Sequence, residues 1–175
     1  MSSRKALCAL LITLTLTSCS FSKRDTGATE TPKASATSGS VTLGPATVSG
    51  PLGAEPVVSI DTTAPAATDL QKSDIVVGSG AEVVASSTVT AQYTGYGASS
   101  GKKFDASWTS SGQPVEFPLA NVITGWQEGL LGMKVGGRRL LVIPGSMGYG
   151  ATPPQGSGIL PNETLVFVVD LTAVK

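Results

Sequence analysis

Beyond residue 56, apolar residues fall in short runs separated by glycine and proline, a pattern that predicts strands at residues 57–60, 74–77, 89–93, 115–118, 138–143 and 165–171. Several of these runs alternate. Val89, Ala91 and Tyr93 share one face, and Thr90 and Gln92 share the other, so the pattern buries the first set and leaves the second to solvent. The period changes once, at residues 125–133, where Trp126, Leu130 and Met133 recur at helical spacing. Three glycines make this helix weak in isolation, so its stability must come from packing on the sheet, and Gly136-Gly137 offers the turn that ends it. The expected class is α+β, a twisted, mostly antiparallel sheet with one short α-helix.

The first half of the chain carries different patterns. Arg4 and Lys5 precede an apolar run from Ala6 to Leu16 that is too short for an ordinary membrane-spanning helix and reads as a signal peptide, residues 1–18. It closes on Leu16-Thr17-Ser18-Cys19, which resembles a bacterial lipobox and implies lipidation at Cys19. Residues 19–53 are rich in Ser, Thr, Ala, Gly and Pro without a sustained period, and read as a disordered tether with a root-mean-square reach of about 30 Å. A single folded domain is expected over residues 54–175. The anticipated location is therefore extracytoplasmic, on a bacterial membrane through the lipid anchor.

Composition narrows the chemistry. The chain holds twelve Lys/Arg against twelve Asp/Glu, and loss of Arg4 and Lys5 with the leader leaves it slightly acidic. With no basic cluster longer than a pair, nucleic acid is not an expected partner. Cleavage at Cys19 also removes Cys8, so no intramolecular disulfide can form. There is no histidine, which rules out Ser-His-Asp and Cys-His nucleophiles and histidine-based metal sites. The Ser-x-x-Lys spacings at Ser99/Lys102 and Ser100/Lys103 fall in a Gly-Ser-rich turn and read as a solvated hairpin tip. Gly95-x-Gly97-x-x-Ser100 lacks the third glycine and the βαβ setting of a dinucleotide site.

Six separated segments remain: Ala91-Gln92-Tyr93-Thr94-Gly95, Phe104-Asp105, Val122-Ile123-Thr124-Gly125-Trp126, Tyr149-Gly150-Ala151, Ile159-Leu160-Pro161 and Thr164-Leu165-Val166-Phe167. Their order and spacing resemble the FKBP-type peptidyl-prolyl cis-trans isomerases over residues 69–175. The resemblance implies a half-barrel sheet wrapped around the helix, with an apolar groove between them, and an isomerase that needs neither cofactor nor metal. It implies that Trp126 is the floor for the proline ring, that Tyr149 donates to a substrate carbonyl, and that Asp105 lies beside the twisted amide. Tyr93, Phe104, Val122, Ile123 and Phe167 would be walls, and Ile159 would close the rim. Implied partners are proline-containing polypeptides and macrolides of the FK506/rapamycin type, with the protein a monomer. The alternative is a non-catalytic module that holds proline segments in the same groove. Each of these residues, taken singly, could equally be core or a turn anchor.

The chain departs from the family pattern in three places. Residues 106–116 lack the arginines often found there, with Val115 where a bulky aromatic is common; Asn121 replaces a frequent acidic residue; and residues 152–158 carry no aromatic. These differences bear on substrate preference and macrolide affinity.

Overall fold

The computed structural model describes residues 39–175. Nine strands form two antiparallel sheets. The first joins β1 (Val41–Leu43), β2 (Ala46–Ser49) and β3 (Val57–Ile60) in sequence order. The second comprises β4 (Gln71–Val76), β5 (Thr88–Gly97), β6 (Lys103–Ala106), β7 (Val115–Pro118), β8 (Arg138–Ile143) and β9 (Leu165–Val174), in the order β4-β8-β9-β5-β6, with β7 also on the β5 edge. Strands β6 and β7 share that edge because a one-turn helix, α1 (Ser107–Ser110), lifts the chain off it between them. The sheet wraps around α2 (Thr124–Gly129), the half-barrel arrangement that the family resemblance implied.

Registers explain why β8 and β9 are buried along nearly their whole length instead of alternating. Leu141 lies opposite Phe167 and Ile143 opposite Leu165, and these side chains pack with Trp126 and Leu130 on the concave face. Leu140 lies opposite Val168 and Val142 opposite Val166, and these pack with Ala46 and Val48 on the other face. The three-stranded sheet is thus a second layer on the convex side.

That layer corrects the expected boundary. Residues 41–53, assigned to the tether, belong to the fold, while the leader and residues 19–38 lie outside the described residues. The alternation is present but thinly written. Leu43, Ala46 and Val48 turn inward while Thr42, Thr47 and Ser49 fill the positions between them, and the small polar residues make a two-sided strand pair read as low complexity. Gly44, with φ +53°, makes the tight turn between β1 and β2.

A buried ion pair fastens the layers. Arg138 and Asp170 face each other across β8 and β9, with Nε to Oδ1 at 2.5 Å and Nη2 to Oδ2 at 2.7 Å, and the arginine is 0% exposed. Its remaining donors reach the Gly50 and Ala54 carbonyls at 3.2 and 2.7 Å, and Asp170 accepts from the Gly53 amide at 3.3 Å. The backbone after β2 therefore satisfies hydrogen-bonding groups that the six-stranded sheet leaves open.

Helix α2 is shorter than the apolar period suggested, ending at Gly129 instead of 133, with Gly132 at φ +75° breaking the path. Trp126, Leu130 and Met133 are nonetheless all buried. The glycines that weaken the helix are what bring it close to the sheet: a Cβ at Gly125 would collide with Ile143, and one at Gly129 would lie 2.9 Å from Leu141 Cδ2. Arg139 completes the helix end, donating to the Gly129 and Leu131 carbonyls at 2.8 and 3.1 Å while it pairs with Asp74 at 2.6 Å.

Gln92 is buried, where the alternation placed it in solvent. The α1 segment covers it. Its amide donates to the Gly112 carbonyl at 3.1 Å, and its oxygen receives the Ser107 hydroxyl.

Candidate functional site

Between α2 and the concave face of the six-stranded sheet lies a cavity of about 280 Å³. Its floor is Trp126, only 4% exposed, carried on the first turn of α2. Three aromatic rings meet the indole edge to face: Tyr93 from β5 and Phe117 from β7 at 5.5 Å, and Phe167 from β9 at 5.4 Å. Phe104 from β6 extends the wall by packing on Phe167 at 5.6 Å. This contact needs Gly95 beneath it, where a Cβ would lie 2.8 Å from both rings. Edge-to-face packing of this kind fixes each ring through its neighbours.

Polar groups are few and grouped at the mouth. The Tyr93 hydroxyl donates to Asp105 Oδ2 at 2.6 Å, which directs the carboxylate along the groove wall. Burial, and then the adjacent Asp105 carboxylate, push the Tyr93 hydroxyl above its ordinary range, so it remains a donor at neutral pH. Tyr149, 37% exposed at the opening, is raised by burial and by Asp105 in the same way. The segment entering α2 is held from within: Gln127 donates its amide to the Val122 carbonyl at 2.8 Å. Behind Tyr93, its backbone amide donates to Ser107 Oγ at 2.8 Å, tying β5 to the α1 excursion that follows Asp105.

Eight of the residues singled out from sequence, Tyr93, Phe104, Asp105, Val122, Ile123, Trp126, Tyr149 and Phe167, line this one cavity. Ile159 does not line it; its side chain packs against the same core from the loop between β8 and β9. Cys19 lies outside the described residues. Phe117, not singled out from the sequence, lines the cavity as well, and so does Asn121, noted there only as a departure from the family pattern. The signal for Phe117 was its period of two with Val115 on a strand already expected, which puts both on the inward face.

A rigid apolar slot with an aromatic floor and hydroxyl and carboxylate groups only at its mouth defines a site for a compact apolar ring flanked by amides. The comparisons place the chain within a family. The profile of the FKBP-type peptidyl-prolyl cis-trans isomerases matches residues 80–172. A probable FK506-binding protein of Corynebacterium glutamicum is 51% identical over 108 residues, covering 61% of this chain and 88% of that protein. The FK506-binding protein of Streptomyces anulatus is 48% identical over 108 residues, covering 61% and 86%. Among solved structures, FkpA from Escherichia coli matches with a TM-score of 0.55 at 44% identity, over 62% of this chain and 49% of that one. The chain belongs to the FKBP-type peptidyl-prolyl cis-trans isomerase family and is an isomerase. Strands β1 to β4 lie before the residues that the family profile matches.

Proposed function

We propose that the Trp126 cavity is the isomerase site and that the protein accelerates slow prolyl steps in the folding of exported polypeptides, held at a bacterial membrane by a lipid on Cys19. The observation that carries the site is the indole floor, buried and clamped by three rings, at the base of an apolar cavity large enough for a prolyl ring. The anchor rests on the Leu16-Thr17-Ser18-Cys19 sequence alone.

Rotation about an Xaa-Pro bond is opposed by amide resonance, with a barrier of about 18–20 kcal/mol. Twisting the bond localises the nitrogen lone pair and reduces charge separation across the amide. Water favours the planar dipole, so a dry apolar slot favours the twisted state by comparison. Trp126 holds the ring, while the rest of the peptide turns about the bond. The Tyr149 hydroxyl donates to a substrate carbonyl, fixing one side of the rotating unit. Asp105, oriented by Tyr93, lies at the wall where the amide turns. A barrier lowered by about 4–8 kcal/mol corresponds to a gain of roughly a thousand- to a million-fold. No bond is made or broken. FK506-type macrolides, which the family binds, would compete for the same slot.

The test is the cis-to-trans rate of short Xaa-Pro peptides with wild type, Trp126→Ala, Tyr149→Phe and Asp105→Ala. Trp126→Ala is expected to lower kcat/KM by about a hundredfold or more, and the other two by about tenfold. Full activity in folded Trp126→Ala would place the site elsewhere.

A further inference from the structure

The loop between β8 and β9 carries Tyr149 near its start and Ile159 near its end, and its neck is already closed by the Asn162 amide donating to the Gly150 carbonyl at 2.7 Å. A second link leaves this loop and runs to a different part of the molecule. Glu163, 5% exposed, accepts from the Leu160 amide at 2.7 Å through Oε2. Its Oε1 accepts from the Ser99 hydroxyl at 2.8 Å and the Ser100 amide at 3.0 Å, both in the turn of the β5–β6 hairpin. The fit is close, since a Cβ at Gly97 would collide with this carboxylate. Burying a charge is costly unless it is fully hydrogen-bonded, and three donors from two separate loops meet it here. The hairpin on one side of the clamp continues directly into Phe104 and Asp105. The loop on the other side carries Tyr149 and Ile159.

We infer that Glu163 is a positioning residue for the isomerase: by tying the β8–β9 loop to the β5–β6 hairpin it fixes the spacing of the two rims of the groove, and so the fit to residues flanking the proline. The inference rests on the Trp126 cavity being the isomerase site. Glu163 touches no substrate; it acts through the backbone on either side. Ser99 is thereby assigned a function as well, as one arm of the clamp.

The clamp is tested on the full chain by comparing Glu163→Gln and Ser99→Ala with wild type on Xaa-Pro peptides extended by several residues on both sides. In Glu163→Gln one carboxylate oxygen becomes an amide donor, which opposes either the Leu160 or the Ser100 amide. Ser99→Ala removes a single arm and leaves the carboxylate buried and bonded. A loosened rim weakens ground-state fit, so KM is expected to rise by about five- to tenfold in Glu163→Gln and about two- to threefold in Ser99→Ala, with kcat within about twofold. A residue that only stabilised the fold would lower the active fraction, reducing apparent kcat while leaving KM unchanged. Wild-type KM in both variants, at a temperature where thermal melts show them folded, overturns the inference while leaving the site intact. An inactive wild type, or full activity in Trp126→Ala, removes the site reading and the inference with it.

Discussion

At the scale of single residues, Tyr93 in the groove wall and Glu163 behind its rim are each shifted by their surroundings. Tyr93 is raised by burial and by Asp105, so its contribution to stability is fully present below the ordinary tyrosine value of 10.0 and is lost as pH rises through the higher folded value. Glu163 is affected in opposite senses by burial, which pushes it up, and by the donors at Leu160, Ser99 and Ser100, which together hold it below its ordinary 4.5. Its contribution is present above 4.5 and is lost as pH falls through the lowered folded value. A plateau of stability between about pH 5 and pH 10 is expected, read from urea midpoints across that range, with Glu163→Gln flattening the acid limb alone. A steady decline from pH 7 to 9 would contradict this account. The residues that make the groove are legible in sequence because aromatic side chains at fixed separations carry information of their own. Glu163 was not legible, because nothing in Pro161-Asn162-Glu163-Thr164 tells that a turn more than sixty residues earlier supplies its donors.

At the scale of elements, β7 and β8 fall where the run of apolar residues puts them, because each is bounded by strong turn formers. Strand β6 escaped notice: Lys103-Phe104-Asp105-Ala106 has one large apolar residue and pairs through a bulge with β5. Strands β1 and β2 escaped for another reason, since small residues can face a core without giving a segment a hydrophobic appearance. These missed strands have a measurable consequence. Beginning the chain at residue 56 removes the Gly50 and Ala54 carbonyls and the Gly53 amide from the Arg138–Asp170 pair and uncovers Leu140, Val142, Val166 and Val168. The lost hydrogen bonds to the buried pair and the newly exposed apolar surface should together cost about 3–5 kcal/mol. Denaturant unfolding of residues 39–175 beside residues 56–175 measures this directly, and equal stability would show β1 and β2 to be dispensable. The outcome matters for function, since β8 and β9 supply the inner face on which α2 and Trp126 rest.

At the scale of the whole molecule, the family profile matches residues 80–172, and the convex layer of β1 to β3 lies in front of them. With the fold beginning by Val41, the length between a lipidated Cys19 and the domain shrinks to a reach of about 25 Å if it is flexible. The anchor has a direct test in cells: Cys19→Ser should move the protein from the membrane fraction to the soluble one without changing its peptide rate. Persistence in the membrane fraction would exclude a lipid on that cysteine as the attachment.

The placement of β1 bears on how a client polypeptide arrives. The chain enters the domain on the back of the six-stranded sheet, and the aromatic slot opens on the front. Under the proposed lipid on Cys19, the attachment therefore joins the domain on the face opposite the slot, and the mouth of the slot is left clear for an approaching chain.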